Sequence, residues 1–187
     1  APGTYTVTVT GANGCTDTES LIITQSSTVT AGINTPATTV LTCNITSISL
    51  TATGGVSYSW SNGTIEVGTD AILVVSAPGT YTVTATGGNG CTDVESIIIT
   101  QDNTVTAGIN TPATTVLTCN TTSISLTATG GVSYSWSNGT TEVGTAATLV
   151  VITPGVYTVT VTGANGCTDT ESIIITQDNT VTAGINT

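Results

Sequence analysis

The string Thr-Val-Thr-Ala-Gly-Ile-Asn-Thr occurs at 28–35, 104–111 and 180–187, each start 76 residues after the last. Residues 28–103 and 104–179 agree at 66 of 76 positions, and residues 1–27 align with 77–103. Such a chain folds as an array of one small module, each copy with its own core. We read residues 1–27 as the C-terminal part of one repeat, 28–103 and 104–179 as whole repeats, and 180–187 as the start of another, all within a longer array. The ten differing positions include Ile45/Thr121, Ile65/Thr141, Ile72/Thr148 and Ala85/Val161. Swaps among β-formers and small residues suit half-exposed strand positions. Near-identical neighbours argue against a unique active site in either copy.

The local signal is β throughout. Ile48, Leu50 and Ala52 alternate with hydroxyl residues, as do Val56, Tyr58 and Trp60, and Tyr81, Val83 and Ala85. A period of two places apolar side chains on one face and hydroxyls on the other. The run Ile97–Ile99 is apolar on both faces, which predicts a strand covered on both sides. Turn residues punctuate the runs at 54–55, 61–63, 77–79 and 87–90. No stretch carries helical periodicity. We assign strand A to 28–34 with a second segment at 38–43, then B 46–53, C 56–61, a short D 64–67, E 71–76, F 79–86 and G 92–100. Seven short strands with regular turns predict an all-β fold of tandem immunoglobulin-like, Greek-key sandwiches of 76 residues, set head to tail. Trp60 and Trp136 then fall on strand C as core anchors, and Tyr81 and Tyr157 open strand F, where a corner tyrosine is common.

Composition excludes whole classes of function. The 187 residues include eleven acidic side chains and no Lys, Arg or His, for a net charge of −11. Without cations the surface cannot neutralise phosphates, so no nucleic-acid partner is expected, and no direct contact with an anionic membrane. Without His or Lys the usual general bases and amine nucleophiles are missing, and we expect no enzyme.

The pieces Tyr58-Ser59-Trp60-Ser61, Pro78-Gly79-Thr80-Tyr81-Thr82-Val83 and Asn89-Gly90-Cys91-Thr92 resemble the Ig-like or PKD-like repeats of very large Bacteroidota surface proteins. These include gliding and attachment adhesins exported by type IX secretion. The resemblance spans the whole repeat and implies an extracellular, stalk-forming module at the cell surface, one of many in series. The lack of Lys and Arg departs from that family's usual composition.

Cys15, Cys43, Cys91, Cys119 and Cys167 are spaced 28, 48, 28 and 48 residues apart. With no CxxC pair and no His, a metal site is not expected, and the pattern reads as disulfides in an oxidising setting. Cys43 precedes strand B, whereas Cys91 opens strand G at the other end of the same sandwich. A strand of eight residues spans about 25 Å, and a disulfide needs Cα atoms within about 7 Å. This favours an inter-repeat Cys43–Cys167 bridge, with Cys15, Cys91 and Cys119 pairing outside the sequence. The alternative is Cys43–Cys91 with Cys119–Cys167, within repeats.

Asn44, Asn62, Asn120 and Asn138 each open an Asn-x-Thr sequon, a candidate glycosylation site. Asn62-Gly63 and Asn138-Gly139 also read as hairpin turns. Asp93, Glu95, Asp169 and Glu171 are weak candidates for calcium, and no cofactor is otherwise expected. The function read from all this is a structural stalk or filament of an adhesin whose partners are its own neighbouring repeats, with lateral self-assembly into fibres a further expectation. A glycan- or protein-binding module, or the spacer of a secreted enzyme, are the alternatives.

Overall fold

The structure is a computed structural model that describes residues 1–183; residues 184–187, the end of the last partial repeat, lie outside it. Every regular element is a strand. The chain opens on a hairpin, β1 (Gly3–Thr10) and β2 (Thr16–Ile23). Eight strands follow: β3 (Gly32–Asn34), β4 (Val40–Leu41), β5 (Ile48–Thr53), β6 (Ser57–Ser61), β7 (Glu66–Gly68), β8 (Ile72–Val75), β9 (Gly79–Thr86) and β10 (Thr92–Gln101). The same eight recur as β11 (Gly108–Asn110), β12 (Val116–Leu117), β13 (Ile124–Thr129), β14 (Ser133–Ser137), β15 (Glu142–Gly144), β16 (Thr148–Val151), β17 (Gly155–Thr162) and β18 (Thr168–Gln177).

Each set of eight makes two sheets, of order β3-β5-β8 and β4-β10-β9-β6-β7 in the first and β11-β13-β16 and β12-β18-β17-β14-β15 in the second. The short β4 and β12 run parallel to β10 and β18, whereas β10 and β18 run antiparallel to β9 and β17. These are immunoglobulin-like sandwiches in which the first strand is split between the two sheets. By contact, the chain divides into two compact units. One comprises Ala1–Thr38, Ser49–Val75 and Gly79–Ile99; the other comprises Thr39–Ile48, Ser76–Pro78 and the chain from Thr100 onward. Residues 39–48, counted by the sequence repeat with 28–103, thus belong to the compact unit that holds 104–179.

In the second unit the core is Leu117, Ile124, Leu126, Ala128, Trp136, Val151, Tyr157, Val159, Val161 and Ile175, drawn from both sheets. Trp136 is wholly buried, and its indole N–H donates to the Ala146 carbonyl at 3.0 Å; Trp60 is buried likewise and donates to the Asp70 carbonyl at 2.9 Å. Burying an indole without such an acceptor would cost about 1–3 kcal/mol. The Tyr157 hydroxyl donates back to the Thr153 carbonyl at 3.0 Å, fixing the corner where β17 begins. Outward hydroxyls bond across the strands, as Thr82 does with Ser96 at 2.8 Å and Thr158 with Ser172 at 2.9 Å. Threonine therefore serves a strand twice, by its branched carbon and by its hydroxyl. Gly54 and Gly130 turn the chain with φ of +88° and +99°, and a Cβ at either would run into the carbonyl oxygen of Thr30 or Thr106.

The strand placed as D pairs with the C strand, Trp60 opposite Gly68 and Trp136 opposite Gly144. The cause is local. The Asn62 carboxamide oxygen accepts from the amides of Thr64 and Ile65 at 3.1 Å each, closing a tight turn that returns the chain along the strand it has just left. Two expectations are corrected. The run Ile97–Ile99, predicted to be covered on both sides, is covered on one face only, since Ile99 is buried while Ile98 is 64% exposed. Finally, Ala85 and Val161 are fully buried, so that pair of residues varies inside the core, whereas Ile45, Ile65 and Ile72 are exposed.

Candidate functional site

The turn between β17 and β18 is built by hydrogen bonds that its sequence dictates. Gly163 N–H donates to the Cys167 carbonyl at 2.8 Å and Gly166 N–H to the Gly163 carbonyl at 3.0 Å, with Gly166 at φ +78°. The Asn165 carboxamide works at both ends: its oxygen accepts from Cys167 N–H at 3.1 Å, and its NH2 donates to the Thr104 carbonyl at 2.9 Å. This aims Cys167 at a second turn of the same compact unit, residues 42–45, which closes by Thr42 N–H donating to the Ile45 carbonyl at 2.9 Å.

The two turns meet. Cys43 and Cys167 are joined by a disulfide with S–S 2.03 Å and Cα–Cα 5.1 Å, across 124 residues of sequence. Beside it, Asn44 N–H donates to the Asn165 carbonyl at 3.2 Å. The Asn44 side chain lies against Gly166, where any Cβ would collide with it. The Asn103 carboxamide oxygen sits 4.0 Å from Cys43 Sγ and 3.8 Å from Cys167 Sγ. The bridge thus links residue 43, in the sequence repeat 28–103, to residue 167, in the repeat 104–179. Cys15 and Cys119 are exposed thiols, and Cys91 is a half-buried one.

Two of the carboxylates proposed for calcium hold backbone. Asp93 Oδ2 accepts from Ala31 N–H and Asp169 Oδ2 from Ala107 N–H, each at 2.9 Å, so each ties the start of a first strand to its last one. The amides of Ala107 and Thr170 hold the Asp169 carboxyl below its ordinary pKa of 3.8. Thr104 and Thr180 do the same for Asp102 and Asp178 by hydroxyl and amide. Glu95 and Glu171 are exposed on their strands. No group of three or more potential metal-ligating side chains occurs among the described residues. Of the sequon asparagines, Asn62 and Asn138 spend their carboxamide oxygens on turn amides, with Gly63 and Gly139 both at φ +93°. Asn120 is exposed in the turn after β12, its N–H donating to Thr118 Oγ1 at 3.3 Å, and Asn44 stands at the bridge.

Sequence reading missed the work of Asn89, Asn165, Asp93 and Asp169. A signal was present, since Asn-Gly-Cys-Thr-Asp recurs at 13–17, 89–93 and 165–169.

No protein-family model matches the chain, and no curated protein does. Solved structures do match. A chain from a 1.5-MDa bacterial ice-binding adhesin, studied for retention at the host cell surface, is 20% identical with a TM-score of 0.52, the alignment covering 95% of this chain and 74% of that one. A chain from a Ca2+-stabilised adhesin with which an Antarctic bacterium binds ice is 21% identical, TM-score 0.45, covering 97% and 58%. Immunoglobulin domains 1–5 of Sidekick-1 give 12% identity and a TM-score of 0.34, covering 96% and 46%. The first of these likenesses supports the architecture, tandem immunoglobulin-like sandwiches.

Proposed function

We propose that this chain is a stretch of the extracellular stalk of a large cell-surface adhesin, in which each 76-residue repeat is a passive spacer and successive repeats are stapled by disulfides. The observation that carries the reading is the bridge between Cys43 and Cys167, which ties one sequence repeat to the next. A binding module needs no such tie. A stalk gains from it, because a cross-link limits how far the chain can come apart under load. The likeness in fold to a chain of a bacterial ice-binding adhesin supports the adhesin part of the reading, and export to the surface of a member of the Bacteroidota belongs to the same proposal.

Periodicity extends the scheme. Cys119 is the repeat equivalent of Cys43, and Cys15 and Cys91 are equivalents of Cys167. Each exposed or half-buried thiol is then one half of the same joint. The charge repeats too, five acidic residues in 28–103 and four in 104–179, so negative charge grows with length and keeps neighbouring stalks apart. Negative-stain imaging of the native material tests the reading. Thin beaded fibres with an axial spacing of about 40 Å, a strand length plus loops, are expected; compact globules would refute it.

A further inference from the structure

Any pull on the two ends of this chain must travel along covalent bonds, and the bridge offers it two routes between residues 43 and 167. One is the backbone of residues 44–166. The other is a single sulfur–sulfur bond whose ends are 5.1 Å apart at Cα. The short route is taut first. We propose that the Cys43–Cys167 bridge is a mechanical bypass, carrying tension past residues 44–166, which hold both tryptophan anchors and most of both cores.

The placement of elements bears this out strand by strand. Strands β5 to β17 lie inside the loop that the bridge closes, and with them Trp60 and Trp136 and most of the residues packed around them. Outside it lie β1 to β4 on one side and β18 on the other. Tension therefore reaches only strands at the start and end of the repeats. There it meets ladders: β18 pairs with β17 along its length and with β12 at its end, and β4 pairs with β10. The joint is braced by the Asn44–Asn165 backbone bond and by the seat of Asn44 on Gly166, so its two turns are held in register even before the sulfurs are loaded. Cys167 is buried, which limits access of thiols to its side of the bridge.

The inference rests on the stalk reading for its use and on the bridge for its geometry, so the two can fail separately. Globules in the microscope would remove the stalk and leave the bypass intact. The bypass is tested by single-molecule pulling on the full chain, held by enzymatically attached handles at its two ends, with free thiols alkylated beforehand. Adding a reductant should lengthen the fully extended chain by roughly 400–450 Å, the reach of 124 residues at about 3.3–3.6 Å each. The Cys43→Ser variant should reach that longer extension without reductant. Equal extension with and without reductant would overturn the proposal. So would two separate gains of about 160–170 Å each, which is what two 48-residue loops closed within repeats would release.

Discussion

Residues 1–27 and 153–179 carry nearly the same sequence and fold into the same hairpin, and they differ in what covers them. Tyr5 stands opposite Leu21 and Val7 opposite Glu19, as Tyr157 stands opposite Ile173 and Val159 opposite Glu171. The turns agree bond for bond: Gly11 donates to Cys15 and Gly163 to Cys167, both at 2.8 Å. Even the outer hydroxyl pairs match, Thr6 with Ser20 at 2.8 Å and Thr158 with Ser172 at 2.9 Å. Yet Tyr5 and Val7 are 53% and 57% exposed, while Tyr157 and Val159 are 6% and 0% exposed. The second hairpin faces the sheet β11-β13-β16 across a shared core. Strand, register and turn are thus properties of the hairpin's own sequence. Burial, and the stability that comes with it, is a property of the opposite sheet.

The sharpest way to break the comparison is to empty the covered core. Trp136→Ala should cost about 3–5 kcal/mol, read as a lower urea midpoint for the sandwich of residues 104–179, with the β1–β2 hairpin unchanged by NMR shifts. A smaller effect separates the two hairpins directly. In a chain of these 187 residues alone, Val159→Ala should cost about 1–3 kcal/mol, and Val7→Ala, with no opposite sheet over it, less than about 0.5 kcal/mol; equal costs would mean that the opposite sheet is not what stabilises β17. The smallest effect is electrostatic. Asp169 is held by the amides of Ala107 and Thr170 below its ordinary pKa of 3.8, so its ionised form is favoured by folding. Its contribution is complete above the unfolded value and is lost as pH falls through the lowered folded one. Asp169→Asn should flatten the acid limb of the stability curve.

Much of the fold was legible because the repeat is local in its chemistry. Alternation located nearly all the strands, and Asn-Gly and Gly-Gly located the turns, since each depends on residues within a few positions. Strand A is the exception of degree: only Gly32–Asn34 of 28–34 and Val40–Leu41 of 38–43 are regular. What was not legible depends on distant partners. Whether β7 follows A-B-E or C is decided by how tightly residues 62–65 turn. Whether Ile98 is covered depends on a layer that the sequence of β10 does not contain. Ala85 and Val161 looked like surface variation because a two-methyl difference resembles one; they sit instead beside Gly55 and Gly131, where the nearest approach of a neighbour decides how much side chain fits. The backbone partners of the Asp93 and Asp169 carboxylates were not legible because those amides lie 62 residues away.

The central claim, that the disulfide crosses from one sequence repeat to the next, has a direct test in the chain's own glutamates. After alkylation of free thiols and unfolding in urea, a protease specific for Glu cuts at 19, 66, 95, 142 and 171. The account predicts a non-reduced peptide pair made of residues 20–66 and 143–171, joined through Cys43 and Cys167 and parted by reductant. A pair of 20–66 with 67–95, together with 96–142 joined to 143–171, would place both bridges within repeats and contradict it.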